Sequence, residues 1–403
     1  MKKIISLLLA AVLVMGCLVG CAGGNGDAND GGNAGGDEEY AIAMITDYGD
    51  ITDQSFNQTT YEACDAFAKE HDIDFRYYKP AANSTADRVK AVESAIDDGY
   101  NVIVMPGYAF GGTIADVAAD YPDVKFIALD VAKGDLLEAA VANAGKEYDY
   151  NPDNWELEDY VDMSNVYCAI YQEELSGYMA GYAAVKLGYK ELGFLGGMNV
   201  PAVARFGYGF VQGVDAAAKE LNVDANVKYI YGGQFFGDSD ITAVMDTWYQ
   251  KGTEIVFACG GGIYTSAAEA ATRAGINGKL IGVDTDQIGV IDGDYGKGLT
   301  VTSAMKGLYP TTYDTLEDVI INGNWSKYVG KISTLGLVSG TDPELNYVQI
   351  PMESTQWEEG KFTQEDYKEL VKAMFDGKIT VSNDISKAPA VEKITVEYFD
   401  DIK

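Results

Sequence analysis

The chain has 403 residues, with 62 Asp and Glu against 29 Lys and Arg, for a formal net charge of −33. That balance argues against nucleic-acid partners, which need clustered Lys and Arg, and instead keeps a protein soluble. The single histidine, His71, excludes multi-histidine zinc sites, and it lies in the polar run Lys69-Glu70-His71-Asp72, which reads as a solvated helix end and not as part of a catalytic triad.

In chain order, Met1-Lys2-Lys3 precedes a run at residues 4–19 that is apolar apart from Ser6, Gly16 and Cys17. This is the layout of a secretory signal peptide, and it is short for a membrane span with soluble flanks. Leu18-Val19-Gly20-Cys21-Ala22 resembles a bacterial lipobox, in which cleavage after Gly20 leaves Cys21 as the lipidated N-terminus. Val14-Met15-Gly16-Cys17 fits less well because bulky Met15 precedes the glycine, and an uncleaved membrane anchor is the alternative. Either way the remainder is expected on the extracytoplasmic face of the cell membrane. Residues 22–39 have almost no apolar side chains and are expected to form a flexible tether. Cys64, Cys168 and Cys259 cannot all pair and show no CxxC spacing, so disulfides are not expected to organise the fold.

From Tyr40 onward short β-branched runs alternate with amphipathic stretches. Strands are expected at 41–45, 75–78, 101–105 and 125–129, with helices at 55–71, 85–98 and 113–121. An acidic segment rich in Tyr and Asn, 135–164, reads as a surface excursion. The rhythm restarts at 165–170 with a helix at 173–187, followed by strands at 192–195, 227–230, 254–257, 280–283 and 299–303 and a helix at 309–321. Residues 363–377 read as a late amphipathic helix with Thr363 as N-cap and Gly377 as C-cap. The alternation predicts an α/β fold of parallel sheets. The length suits two doubly wound lobes better than one large sheet. The expected first lobe is 40–165 plus about 299–330, and the second is 166–298 plus about 331–403.

Ligands of open parallel sheets bind beyond the carboxyl ends of the strands. Those ends carry Thr46-Asp47, the run from Asp53 to Gln58, Pro106-Gly107, Asp130, Gly196-Gly197-Met198, Gly260-Gly261-Gly262, Asp284-Thr285-Asp286 and Lys306. Glycines after strands are ordinary turn residues and Ser55 is an ordinary N-cap, yet together these residues mark a cleft between two lobes. The Gly260 triplet lacks the Lys-Ser/Thr of a phosphate loop, so it is better read as close backbone approach to a ligand.

Asp53-Gln54-Ser55-Phe56-Asn57-Gln58, the run from Gly196 to Phe210 containing Arg205-Phe206-Gly207-Tyr208-Gly209, Gly232-Gly233-Gln234-Phe235-Phe236-Gly237-Asp238, Ala258-Cys259-Gly260-Gly261-Gly262, Gly282-Val283-Asp284-Thr285-Asp286-Gln287 and Ser303-Ala304-Met305-Lys306 occur in order. In this the chain resembles the basic membrane protein family, the purine nucleoside receptor A-like lipoproteins that serve ABC transporters. The resemblance implies a type I periplasmic-binding-protein fold with a hinge and an interlobe ligand cleft. It implies a purine base sandwiched between Phe56 and Phe206, with Asp53 and Asn57 on its polar edges. Asp130, Asp284, Lys306 and the Gly260 backbone would hold the ribose. Phe210 reads as the core member of its helix and Phe206 as the freer ring. No catalytic residue, metal or cofactor is expected. The expected partners are a nucleoside, a permease with its ATPase, and the membrane through Cys21, and the chain itself is expected to be a monomer. Two other readings remain open at this point. One is a surface lipoprotein that senses without transport. The other is a nucleoside hydrolase or glycosidase using Asp47 and Asp53 as acid and base or as metal ligands.

Overall fold

The structure is a computed structural model and describes residues 39–403. The expected signal sequence, the expected lipobox with Cys21 and all of the expected tether but Glu39 lie outside the described residues. The chain first lays down β1 (Ala41–Ile45), α1 (Phe56–His71), β2 (Asp74–Tyr78), α2 (Thr85–Asp97), β3 (Val102–Pro106), α3 (Phe110–Val117), β4 (Lys125–Leu129), α4 (Lys133–Asn143) and β5 (Val166–Tyr171). It then forms α5 (Glu173–Leu187), β6 (Glu191–Gly196), α6 (Pro201–Leu221), β7 (Ala225–Tyr231), α7 (Ser239–Gln250), β8 (Ile255–Cys259), α8 (Tyr264–Ala271), β9 (Lys279–Asp284), α9 (Ile288–Tyr295) and β10 (Thr300–Lys306). Last come α10 (Leu308–Leu316), β11 (Lys331–Leu335), β12 (Val348–Gln349), α11 (Gln364–Phe375) and β13 (Ile394–Tyr398).

Two sheets result, ordered β11-β5-β4-β3-β1-β2 and β12-β10-β9-β8-β6-β7-β13. All their pairings are parallel except that of β12 with β10. β3 and β8 are buried along their whole length, which is why they read as unbroken apolar runs, whereas edge strand β2 is mostly exposed. Each sheet has helices packed on both faces, and the fold is an α/β architecture of two lobes.

Sheet membership departs from the expected lobe ranges at three strands. β5, expected to open the second lobe, pairs with β4 in the first sheet. β10, expected in the first lobe, pairs with β9 in the second. β11, expected in the second, pairs with β5 in the first. The physical reason is that each of β5 and β10 completes the sheet the chain is leaving, and the apolar run of a strand does not encode which sheet it joins. The chain therefore crosses between lobes after β5, after β10 and after β11. These crossings are tied together by the Gln172 N–H donating to Leu335 O at 2.9 Å and the Tyr347 N–H donating to Gly336 O at 3.1 Å.

The segment 135–164 is also less external than expected. Its start belongs to α4, whose Leu136, Leu137, Ala140 and Val141 are buried in the first-lobe core. The three thiols Cys64, Cys168 and Cys259 are free and buried. His71 ends α1 half-buried, its ring 4.5 Å from that of Phe67. No helix among the described residues is long and apolar enough to cross a membrane. At α11 the Thr363 side chain accepts the Asp366 N–H while the Asp366 carboxylate accepts the Thr363 N–H, a reciprocal cap. Thr363→Ala is expected to lower unfolding stability by about 1 kcal/mol, measured by urea denaturation.

Candidate functional site

In both sheets the strand order reverses between the first and third strands of the lobe, at β1/β3 and at β6/β8. Doubly wound sheets bind ligands outside the carboxyl ends at such points. Here these ends face one cleft of about 390 Å³. Asp53, Phe56, Asn57, Asp130, Phe206, Gly260, Asp284 and Lys306 all line it, so the eight residues that the resemblance assigns to the ligand are brought together, whereas Thr46, Pro106, Gly196, Gly197, Met198 and Asp286 of the strand ends are not among its lining.

Lys306, the last residue of β10, is the electrostatic centre. It is 5 % exposed, and its ammonium pairs with Asp130 and lies 3.6 Å from Asp284 and 3.7 Å from Glu173. Burial opposes its charge, but the three carboxylates outweigh burial and lift its pKa above the usual lysine range. Glu173, wholly buried, also receives the Arg205 Nε–H at 2.6 Å. Burial raises the pKa of Glu173 and of Asp284, against the pull of the two cations on Glu173 and of Lys306 on Asp284. Asp130 follows β4 and Asp284 ends β9, two topologically equivalent strands, and both adopt left-handed backbone, φ 59° and 65°. A non-glycine residue held there is a strained feature that collects at functional sites.

The N-terminus of α1 supplies the opposite wall. The Asp53 carboxylate accepts four hydrogen bonds, from the backbone N–H groups of Ser55, Asn57 and Gln58 and from Asn57 Nδ2. A carboxylate has about four lone-pair sites, so Asp53 is fully occupied in supporting the helix and Asn57. Asn57 Nδ2 also donates to Asp47, and its Oδ1 is a buried acceptor without a partner among the described residues. Asp130 Oδ1 is another. Ser55, read as an N-cap, makes no capping side-chain bond. Its hydroxyl crosses to the second lobe and donates to Asp284 at 2.6 Å, and nearby the Gln287 side chain donates to Gln54 O at 3.0 Å.

The aromatic faces meet at the same cation. The Lys306 ammonium lies 4.7 Å from the ring centre of Phe56 and 5.7 Å from that of Phe206. Phe206 is not the freer ring expected: it is 1 % exposed, joins the same buried core as Phe210, and meets Phe257 edge-on at 6.0 Å. The local sequence places it on α6 facing the second sheet, so it lines the cleft from within the core. Phe235 is a lining ring that the sequence did not single out for a role. It packs so closely on two backbones that a Cβ at Gly197 would lie 2.3 Å from it and one at Gly260 3.0 Å. Gly197 is therefore required by the Phe235 ring, and Gly260 by the Gly197 backbone, whose Cα would lie 2.9 Å from a Cβ at Gly260.

Glu173, Arg205 and Asp135 were also missed as site residues. Glu173 was visible only as a helix start and Arg205 only as part of a run, because their pairing joins positions on two helices. As for acid-base chemistry, Asp47 Oδ1 accepts the Tyr48 and Gly49 N–H groups as well as Asn57 Nδ2. Asp47 and Asp53 thus act as acceptors for backbone and amide, which does not suit a proton-transfer pair. The described residues hold no group of three or more potential ligands arranged for a metal ion.

Residues 41–379 match the family model described as Bmp, ABC transporter substrate-binding protein PnrA-like. Among curated relatives, the ABC transporter nucleoside-binding protein BmpA of Lactococcus lactis is 26 % identical over 257 residues, which span 61 % of this chain and 64 % of that protein. Basic membrane protein B of Borreliella afzelii is 25 % identical over 304 residues, 74 % of this chain and 79 % of that one. A solved ABC transporter solute-binding protein from Aeropyrum pernix shares the fold, with a TM-score of 0.61 at 21 % identity, covering 85 % of this chain and 87 % of its own. With the match extending over both lobes and through every strand that lines the cleft, the chain belongs to the Bmp family of PnrA-like ABC transporter substrate-binding proteins.

Proposed function

We propose that this chain is a lipid-anchored, extracytoplasmic receptor that captures a purine nucleoside between its lobes and delivers it to an ABC permease. The observation that carries the reading is the assembly of aromatic faces and buried carboxylates around Lys306 in one cleft. A nucleoside is flat at one end and rich in hydroxyl donors at the other. Phe56 and Phe206 offer the faces for the base. Asn57 Oδ1 offers an acceptor for a ring or exocyclic N–H, with Asp53 holding Asn57 in place. Asp130 and Asp284 accept the vicinal ribose hydroxyls, with the Gly260 backbone beside them. Lys306 lets two carboxylates stay charged side by side.

Magnitudes agree with a scavenging receptor. Each base–aromatic stack is worth roughly 1–3 kcal/mol and each hydrogen bond about 0.5–1.5 kcal/mol net, which together approach the ~8 kcal/mol of micromolar affinity. The relative from Lactococcus lactis bears a nucleoside-binding name, which favours the same ligand class here. The lipobox at Cys21 and the tether that follows support a membrane-held head beside a permease.

The test is a calorimetry and thermal-shift panel of nucleosides, free bases, sugars and furanones. The expected result is a one-to-one complex with a purine nucleoside and no comparable response to free bases or sugars. Asp284→Ala, which removes a hydroxyl acceptor and the partner of Ser55, is expected to weaken that complex by roughly 10–100-fold. Stabilisation by another ligand class with none by any nucleoside would refute the assignment.

A further inference from the structure

Arg205 and Asp135 line the cleft from opposite lobes, Arg205 from the first turns of α6 and Asp135 from the N-terminus of α4. Each is tethered by one end. Arg205 donates through Nε to the buried Glu173, and among the described residues its two terminal nitrogens make no hydrogen bond within the protein. Asp135 accepts the Ala132 N–H on Oδ2 at 2.7 Å, and its Oδ1 has no such partner. Its backbone is held against Gly111 of α3, where a Cβ would lie 2.4 Å from the Asp135 carbonyl carbon. The Arg205 charge acts on Asp135, yet no ion pair joins them. A fork of donors and a fixed acceptor thus lie near each other across the cleft without being satisfied by each other. The group that completes such a pair both accepts and donates, which is what a hydroxyl does.

We propose that Arg205 and Asp135 form a subsite for the 5′-hydroxyl of the bound nucleoside. The inference rests on the nucleoside reading above, in which Asp130, Asp284 and Lys306 engage the vicinal hydroxyls and leave the 5′-hydroxyl as the remaining one. The hydroxyl donates to Asp135 Oδ1 and accepts from an Arg205 terminal N–H. Because the subsite takes both roles, a ligand lacking the 5′-oxygen leaves a guanidinium edge and a carboxylate oxygen facing apolar carbon. A site built to bond a hydroxyl rejects the analogue without it more strongly than an apolar pocket rejects an extra group.

The experiment titrates the full described chain by calorimetry with inosine and 5′-deoxyinosine, in wild type, Asp135→Asn and Arg205→Lys. Wild type is expected to bind the 5′-deoxy compound roughly 10–100-fold more weakly. Asp135→Asn retains an oxygen to accept the Ala132 N–H, so the fold is kept. It is expected to shrink that preference to within about threefold. Arg205→Lys keeps a cation beside Glu173 but removes the fork, and is expected to shrink the preference likewise. Equal affinity of wild type for the two compounds would overturn the subsite and leave the nucleoside reading standing, as would an Asp135→Asn variant that weakens both equally. No binding of either compound or of any other nucleoside would overturn both.

Discussion

Lys306→Met is expected to abolish measurable nucleoside binding and to lower stability at neutral pH by about 3–5 kcal/mol, the range for removing one partner of a buried ion pair. In a chain of this size, with an unfolding entropy of about 2.1 cal/mol/K per residue, that corresponds to a Tm fall on the order of 4–6 °C. The cause is not lost packing, since methionine fills most of the lysine stem's volume. It is that Asp130, Asp284 and Glu173 would share a buried site with Arg205 as the one cation, among the described residues, bonded to any of them. The pH dependence follows with a definite sign. Burial already raises the pKa of Asp284 and Glu173 in the folded protein, with Lys306 opposing it. Without Lys306 those folded-state values rise further above the unfolded ones. A carboxyl raised in this way costs stability when the pH exceeds its folded pKa, and the cost fades as the pH falls toward the unfolded value. The deficit of Lys306→Met relative to wild type is therefore expected to be larger at pH 8 than at pH 5 in urea denaturation. Adding Asp284→Asn to Lys306→Met should restore part of the stability and none of the binding. A deficit independent of pH would mean that the ammonium does not compensate these carboxylates.

Much of this cluster was legible in the sequence because strand-end residues are local. A β-branched run followed by Asp, Gly or Lys marks a side chain at the carboxyl edge of a parallel sheet, so Asp130, Gly260, Asp284 and Lys306 needed only the βα rhythm to be found. What was not legible is whatever depends on pairing between distant segments. The sheet joined by β5, β10 or β11 is decided by edge complementarity, and a short strand's own residues fit either sheet. The role of Ser55 was obscured in the same way. A serine ahead of a helix is locally an N-cap, but an acceptor 229 positions away takes its hydroxyl instead. Conversely, Asp53 looks like a ligand residue in the sequence and proves to be saturated by its own helix. The exposure of Phe206 was misjudged because α6 is buried on more than one face, so its periodicity does not separate core from cleft.

The same limit applies to the glycines of α5 and α6, which set how closely the two helices beside the site approach. The two helices cross in backbone contact. A Cβ at Gly177 would lie 2.2 Å from Phe206 O, at Gly181 2.3 Å from Phe210 O, at Gly209 2.1 Å from Glu174 O and at Gly213 2.1 Å from Tyr178 O. Two pairs spaced four residues apart thus place glycine on one face of each helix, and only glycine permits that approach. One end of this crossing sets Glu173 and Glu174 against Arg205 and Phe206, so interhelical distance is converted directly into the position of the Arg205 fork and the Phe206 ring. Gly209→Ala forces separation by roughly 1 Å at that end, since carbon and oxygen do not approach closer than ordinary van der Waals contact. Overpacking of this kind costs about 1–3 kcal/mol or more. Affinity is expected to fall at least tenfold besides, because the aromatic and charged groups are displaced from one another. Gly213→Ala is the control. It meets Tyr178 O, one turn further from Glu173, and is expected to cost comparable stability with a smaller loss of affinity. Parallel melting curves and titrations of the two variants separate the effects, and equal affinity losses at equal stability would show that the crossing supports the fold without setting the geometry of the cleft.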